Sequence, residues 1–180
     1  MMLDQWLFQA LFSLSGRSPI LDNGIIFLAV YLPYFIGFAT LLYLAVTLPW
    51  RRLIQASIAT LLSVVLSRFI LGESIRYLLP RIRPYTALNL HSLFPELSHS
   101  FPSGHALTLF AIGGSAYFYN KRLGIVFCGL SVLVVLARVA AGVHYPSDVT
   151  IGALIGLGSA YLIHRSAMPY IKIHDQKVSG

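Results

Sequence analysis

The chain carries the sequence ARVAAGVHYPSD at residues 137–148, between two strongly apolar segments. Arg138 and His144 stand where a membrane helix is expected to end, and Asp148 stands where the next one is expected to begin. Charged and titratable side chains are costly to place at the edge of apolar helices, so their presence indicates a functional site. We expect this stretch to form part of that site.

The composition indicates an integral membrane protein. Of the 180 residues, 57% are hydrophobic and only 11% are charged, whereas soluble domains carry about 25% charged residues. The length suits a single domain, residues 1–180, with a helical core at about residues 24–165. The net charge of +7 does not indicate nucleic-acid binding, because many of the basic residues lie in short loops beside apolar segments, where membrane topology explains them.

Long apolar runs predict an all-α, polytopic membrane bundle, since a spanning helix needs roughly 20 apolar residues. The five predicted transmembrane helices are residues 24–47, 53–71, 102–119, 123–143 and 149–163. Residues 3–14 are too short to span a bilayer and carry Trp6, Phe8 and Phe12, which predicts a helix that lies in the membrane interface. Residues 164–180 are expected to form a polar tail.

The distribution of basic residues predicts an orientation in the membrane. The turns at 51–52 and 121–122 and the C-terminal tail together hold seven of the 13 Lys and Arg residues. The positive-inside rule therefore places this side, with the C-terminus, in the cytoplasm. The opposite face, toward the periplasm or exterior, receives the polar loop 85–100 and all three polar motif stretches.

Two further stretches supply partners for residues 137–148. One contains Arg76 and Arg83, and the other has the sequence FPSGH at residues 101–105. The guanidinium group donates paired hydrogen bonds to oxyanions and stays charged, so Arg76, Arg83 and Arg138 could together offset the charge of one phosphate without a metal.

Proline fits the first position of a helix, so we expect helices to begin at Pro102 and Pro146. The backbone N–H groups of Ser103 and Gly104 would then be unpaired at a helix N-terminus and able to bind an anion.

Two histidines suit the two halves of a phosphoryl transfer. His144 is the candidate nucleophile, because Asp148 could accept a hydrogen bond from one ring nitrogen and leave the other free to attack. His105 would protonate the leaving oxygen and later activate water. The structural alternative is that each histidine is an ordinary polar residue at a helix end.

The three stretches resemble the motifs of the type 2 phosphatidic acid phosphatase superfamily, whose soluble relatives include vanadium haloperoxidases. The family pattern is a basic residue, six residues and Arg-Pro; then Pro-Ser-Gly-His; then Ser-Arg, five residues, His, three residues and Asp. The matching residues here are Arg76, Arg83, Pro84, Pro102, Ser103, Gly104, His105, Arg138, His144 and Asp148.

The resemblance implies a phosphohistidine at His144, His105 as general acid and base, Asp148 as the residue that orients His144, and an exterior site without metal or other cofactor. It assigns phosphate binding to Arg76, Arg83, Ser103, Gly104 and Arg138. The chain departs from the pattern at Arg76, where Lys is usual, and at Ala137, where Ser is usual. We expect the missing hydroxyl to weaken transition-state binding by about 1 kcal/mol.

The compact chain and its N-terminal helix are similar to the bacterial undecaprenyl-diphosphate phosphatases of this superfamily. The resemblance implies an enzyme of the bacterial plasma membrane that converts undecaprenyl diphosphate to undecaprenyl phosphate, the carrier lipid of peptidoglycan synthesis. Alternatives of the same class are a phosphatidylglycerophosphate or lipid A phosphatase. Alternatives of other classes are a non-catalytic lipid-phosphate-binding protein, a small transporter and a metal-dependent phosphatase. The motifs do not predict the oligomeric state.

Several remaining residues are interpreted as structural or as contacts with solvent and headgroups. Arg68 is expected to snorkel or to pair with a helix neighbour, with a role in the site as the alternative. Arg81 is expected to contact headgroups or solvent. The expected solvated loop residues are His91, Glu96 and His99, with contact to the substrate headgroup as the alternative. We expect His164 to belong to the polar tail, and Gly152, Gly156 and Gly158 to permit close helix packing.

Overall fold

The structure is a computed structural model that describes residues 2–178, with side chains for residues 2–166. Every regular element within these residues is helical, which confirms the predicted all-α class. The α-helices are α1 (Met2–Phe12), α2 (Pro19–Ile26), α3 (Leu32–Thr47), α4 (Trp50–Val64), α5 (Gly72–Leu78), α6 (Pro84–Ala87), α7 (Gly104–Tyr119), α8 (Lys121–Ala140) and α9 (Pro146–Val178).

Two of the long helices contain a π-helical turn. Phe27–Tyr31 joins α2 to α3, and Val65–Leu71 joins α4 to α5, so Pro19–Thr47 and Trp50–Leu78 are each continuous. Pro33 lies just after the first π turn, and proline cannot donate a helical hydrogen bond. Such turns occur frequently at functional sites, and the second one contains Arg68.

Four helices in the described chain are long and apolar enough to cross a membrane, namely Pro19–Thr47, Trp50–Leu78, Lys121–Ala140 and Pro146–Ser166. Large apolar side chains on their outer faces are exposed, among them Phe38, Leu61 and Leu154. The other predicted span, α7, has 16 residues, or about 24 Å at 1.5 Å per residue, and lies inside the bundle. The chain is therefore a polytopic membrane protein, and the count of five spans stays a prediction.

The helix α7 is the centre of the bundle and packs most extensively against α9 and α8. Two glycines of α9 allow the close approach. A Cβ atom at Gly156 would lie 2.7 Å from the Leu107 carbonyl oxygen, and one at Gly152 would lie 2.9 Å from the Ser103 carbonyl oxygen. The packing role predicted for these two residues is confirmed, whereas Gly158 faces open space and has no such role.

The helix α1 covers the ends of α8 and α9. Phe8 is fully buried, stacks on Phe12 with 5.4 Å between ring centroids, and contacts the tilted ring of Tyr145 at 5.5 Å. Trp6 and Leu3 on the other face are exposed. A position in the membrane interface remains a prediction, but the apolar face of α1 seals one end of the bundle.

The predicted end of the last helix at Ile163 is wrong. α9 continues without interruption past this residue, because neither Gly nor Pro follows directly to stop it. His164 is accordingly buried, and its ring stacks on Phe118 with 4.5 Å between centroids. It belongs to the α7–α9 interface rather than to a polar tail.

Candidate active site

A cavity of about 370 Å³ lies at the end of the bundle where α5 ends and α7 and α9 begin. It brings together residues from all three predicted stretches. The lining residues are Pro33, Tyr34, Arg68, Arg76, Arg83, Glu96, Ser98, Gly104, His105, Thr108, Leu109, Ile112 and His144. Arg138 lies beside it, with Nη1 3.5 Å from Nε2 of His105.

His144 stands two residues before the start of α9, and its two ring nitrogens face different partners. Its Nδ1 lies 3.7 Å from Oδ2 of Asp148, and its Nε2 lies 3.5 Å from Nη1 of Arg83, which lines the cavity. Burial lowers the pKa of His144 to about 4, although the Asp148 carboxylate opposes this effect. The imidazole is therefore neutral at neutral pH and presents Nε2 toward the cavity.

The carboxylate of Asp148 is completely buried and tightly held. Oδ2 accepts hydrogen bonds from the Ser100 hydroxyl and from the Tyr145 N–H, both at 2.8 Å. Oδ1 accepts one from Arg81 at 2.6 Å. The separation from His144 exceeds a normal hydrogen bond, so the three donors, rather than the histidine, fix the orientation of this carboxylate.

Arg81, which was expected to contact headgroups or solvent, keeps about a third of its side chain exposed but directs its guanidinium into the site. Its guanidinium lies 3.9 Å from the centre of the Tyr145 ring and donates to Asp148, to the Ser147 hydroxyl at 2.7 Å and to Asp4 at 2.8 Å. Asp4 also accepts from the Ser147 N–H and hydroxyl. Burial opposes ionisation of Asp4, but the bonds from Arg81 and Ser147 outweigh it and lower the pKa of this carboxyl. The only feature of the sequence that could have indicated this network was Asp4, the single charged residue of α1.

The expectation that Glu96 is a solvated loop residue is wrong. Its carboxylate bridges Arg83, at 2.6 Å from Nη2, and Arg138. Burial alone would raise the pKa of Glu96, but the charges of Arg138 and Arg83 lower it to about 2. A permanent anion therefore stands where two nearly buried arginines converge beside the histidines. His91 and His99 are exposed, as expected.

Backbone carbonyls hold the three predicted arginines in place. Arg83 donates to the carbonyl of Val143 at 2.9 Å, Arg76 to that of Pro102 at 3.1 Å, and Arg138 to that of Ala29 at 3.3 Å. The side chains are nearly buried, with 4%, 9% and 1% of their surface exposed. Each guanidinium is therefore preorganised before any ligand arrives.

The N-terminus of α7 differs from the prediction in two respects. The helix begins at Gly104 instead of Pro102, because the Pro102 carbonyl bonds to Arg76 outside the helix. The N–H of Ser103 is not free for an anion, since it donates to the backbone carbonyl of Asp148 at 3.1 Å. The buried Ser103 hydroxyl has no protein partner within the described residues, and Gly104 lines the cavity. Pro146 begins α9 as predicted.

Two other sequence expectations meet different outcomes. Arg68 pairs with a helix neighbour, Glu73, as expected, but it also lines the cavity. Ala137 lies in a small-residue cluster with Ala29 and Ala141 and is not among the cavity residues.

In the part of the chain that the structure describes, no three His, Cys, Asp or Glu side chains are grouped to hold a metal ion.

The fold and the site together define a helical membrane protein whose cavity concentrates arginines and a pair of histidines at one end of the bundle. The pattern described as the PAP2 superfamily matches residues 53–171. The chain belongs to this superfamily, which confirms the resemblance drawn from the three motif stretches, and it is a membrane lipid phosphatase.

Similar proteins cover most of the chain. The bacitracin transport permease protein BcrC of Bacillus licheniformis is 31% identical over 170 residues, which are 93% of this chain and 82% of the relative. The undecaprenyl-diphosphatase BcrC of Bacillus subtilis is 26% identical over 162 residues, covering 88% and 81%. The crystal structure of Aquifex aeolicus LpxE superimposes with a TM-score of 0.73 at 27% identity, covering 91% of this chain and 95% of that one. Other relatives are named lipid A phosphatases.

Proposed function

We propose that the protein hydrolyses a lipid diphosphate, converting undecaprenyl diphosphate to undecaprenyl phosphate through a phosphohistidine at His144. The observation that carries the proposal is the Glu96 carboxylate held between Arg83 and Arg138 beside both histidines. An oxyanion already occupies the place that suits a phosphoryl group. The choice of lipid is supported by the relative named undecaprenyl-diphosphatase.

In the first step, the terminal phosphoryl group displaces Glu96, and its oxygens bind Arg83 and Arg138. Nε2 of His144 attacks the phosphorus, and the bond from phosphorus to the bridging oxygen breaks. The electron pair stays on this oxygen, which receives a proton from His105. The positive charge that develops on the imidazole is stabilised by the nearby Asp148 carboxylate.

In the second step, water attacks the phosphorus of the phosphohistidine while His105 accepts a proton from that water. The phosphorus–nitrogen bond breaks, its electron pair returns to His144, and inorganic phosphate leaves. Arg76, Arg83 and Arg138 stabilise the charge on the phosphoryl oxygens in both steps, while Ser103 and Gly104 approach them from the start of α7.

The other wall of the cavity is apolar and supports a lipid substrate. Pro33, Leu109 and Ile112 line the cavity between the helix Pro19–Thr47 and α7. A headgroup could bind the arginines while its tail stays in the bilayer. The proposal includes a single domain over residues 1–180 in a bacterial plasma membrane, with α7 as the fifth span, α1 in the interface, the site toward the exterior and the C-terminus in the cytoplasm.

The proposal is tested by phosphate release from purified protein in detergent with EDTA present. Wild type and His144→Ala are compared on undecaprenyl diphosphate, phosphatidylglycerophosphate, lipid A and phosphatidic acid, and Arg122→Gln on the opposite face of the bundle is the control. We expect wild type and the control to turn over undecaprenyl diphosphate best, and His144→Ala to release no phosphate above background.

Other outcomes would change the assignment. Fastest turnover of lipid A or phosphatidylglycerophosphate would transfer the assignment to that lipid and leave the mechanism intact. Activity lost in EDTA and restored by Mg²⁺ would contradict the metal-free mechanism. If wild type turns over none of these lipids, the hydrolysis proposal fails and binding or transport takes its place.

A further inference from the structure

Two arginine pairs line or border the cavity, and a glutamate bridges each of them. Arg83 and Arg138 share Glu96, next to the histidines. Arg68 and Arg76 share Glu73, whose Oε1 accepts from Nη1 of Arg76 at 2.6 Å and from Nη1 of Arg68. The mechanism above uses the first pair and Arg76 but gives Arg68 no role, although Arg68 lines the cavity.

The backbone of Arg68 lies deeper in the bundle than that of Arg76. Both residues belong to the continuous helix Trp50–Leu78, and eight residues of helical rise separate their backbones by about 12 Å, although both guanidinium groups reach the same Oε1 atom of Glu73. An arginine at such a depth in a membrane span needs an anionic partner and marks a functional position by default. Glu73 is such a partner, but about half of its side chain is exposed.

The guanidinium of Arg68 also lies against the N-terminus of α7. A Cβ atom built on Gly104 would be 2.8 Å from Nε and 3.2 Å from Cζ of Arg68. The N-terminus of a helix carries partial positive charge, so a cation packed against it is electrostatically unfavourable. An anion bound between Arg68, Arg76 and this N-terminus would remove the repulsion.

We propose that Arg68, with the N-terminus of α7 and with Arg76 shared between the two phosphates, forms a second phosphate subsite that binds the lipid-side phosphate of a lipid diphosphate. This inference rests on the proposed function and specifies its substrate class. The lipid-side phosphate lies between the reacting phosphate and the tail, so it must sit deeper than His144, on the side where Arg68 lies. Arg68 also faces the charge that builds on the bridging oxygen as that bond breaks, and it therefore favours diphosphates over monophosphates.

The test compares farnesyl diphosphate with farnesyl monophosphate, which share one tail, in detergent with purified full-length protein. Loss of a hydrogen bond to a charged group corresponds to about a 10- to 100-fold effect. We expect Arg68→Gln to lower kcat/KM for the diphosphate by about this factor and for the monophosphate much less. Arg68→Lys should recover part of the loss, and Arg122→Gln on the opposite face should change neither value.

A binding measurement tests the subsite without relying on turnover. Calorimetry with methylenediphosphonate and with inorganic phosphate shows whether the site recognises a diphosphate without any lipid. We expect wild type to prefer the diphosphonate, and Arg68→Gln to lose that preference.

Three results would overturn the inference: equal losses on both farnesyl substrates, no loss on either, or an unchanged diphosphonate preference in Arg68→Gln. If wild type hydrolyses neither farnesyl substrate nor undecaprenyl diphosphate, the proposed function fails, and the calorimetric preference alone decides whether the subsite exists.

Discussion

Asp148 depends on partners outside its own motif. Its carboxylate is oriented by the Ser100 hydroxyl, the Tyr145 N–H and Arg81, and Arg81 is in turn tied to Asp4 of α1. A residue that acts on His144 through Asp148 is a positioning residue, so its removal should change the rate of the reaction more than substrate binding.

Replacement of Arg81 tests this positioning role. We expect Arg81→Gln to lower kcat about 10- to 100-fold with KM changed less than about threefold, because Asp148 loses its only charged donor among the three that orient its carboxylate. Arg81→Lys should restore part of kcat. Arg17→Gln, which changes an exposed arginine, is the control. A lower melting temperature with unchanged kcat would show that Arg81 only holds α1 against the bundle and does not position Asp148.

The sequence predicted the members of the site at this scale but not their partners. The motif spacing predicted that Arg76, Arg83, His105 and His144 share one site. All four line the cavity in the structure. The interactions of Glu96 with Arg138 and of Arg81 with Asp4 join residues 42 and 77 positions apart. Neither pair has a periodic pattern or a short spacing, so each becomes visible only once the helices have packed.

At the scale of elements, the loop between α6 and α7 carries the anion that bridges two arginines of the site. Because the pKa of Glu96 is about 2, its carboxylate stays ionised under all ordinary assay conditions. A phosphate ligand must therefore displace a charged competitor, and the loop must move when it does.

Glu96→Gln removes the charge of this competitor and keeps its size. We expect orthovanadate to inhibit the variant at about tenfold lower concentration than wild type, which corresponds to about 1.4 kcal/mol. Glu96→Asp keeps the charge and serves as the matched control in the same assay. Weaker inhibition of Glu96→Gln would mean that Glu96 assists anion binding instead of competing with it.

Close packing of α9 on α7 gives a second prediction at this scale. Gly156→Ala places a methyl group 2.7 Å from the Leu107 carbonyl oxygen, and overpacking of this kind costs about 1–3 kcal/mol. Gly158→Ala is the matched control in the same helix, since nothing lies within 4 Å of its Cβ position, and we expect it to be neutral or slightly stabilising. Thermal unfolding in detergent measures both. Equal melting temperatures for the two variants would contradict the packing account.

Long apolar runs located the helices but not their boundaries. It did not reveal the π turns at Phe27–Tyr31 and Val65–Leu71, since a single extra residue per turn leaves no mark in an apolar run. The helix α7 begins at Gly104 rather than at the predicted Pro102, because Arg76, which is distant in sequence, donates a hydrogen bond to the Pro102 carbonyl. Such boundaries depend on tertiary contacts that local sequence does not contain.

At the scale of the whole molecule, hydropathy and charge predicted a bundle with its polar chemistry at one end. The structure confirms the helical class, four apolar spans and a cavity where the three motifs meet. The short helix α7 is the element that hydropathy describes least well, because nine of its 16 residues are buried by other helices and its apolar character reflects protein packing as much as contact with lipid.

The proposed orientation is tested by labelling single cysteines in intact cells. In a Cys128→Ser background, Leu97→Cys lies on the exposed loop beside the cavity, and Lys121→Cys lies in the turn at the opposite end. We expect a membrane-impermeant maleimide to label position 97 in intact cells and position 121 only after permeabilisation, because the basic turns face the cytoplasm. The reverse pattern would contradict the orientation.

The most direct test of the central claim is to trap the phosphoenzyme. Purified protein is mixed with undecaprenyl diphosphate that carries a radiolabelled terminal phosphate, quenched within milliseconds in alkali, and the labelled residue is mapped by mass spectrometry. The mechanism predicts an acid-labile phosphohistidine at His144 that is absent from His144→Ala. In His105→Ala it both forms and decays more slowly, since His105 protonates the leaving oxygen in the first step and activates water in the second. A phosphoenzyme of equal yield in His144→Ala, or steady turnover by wild type with no trapped phosphohistidine, would contradict it.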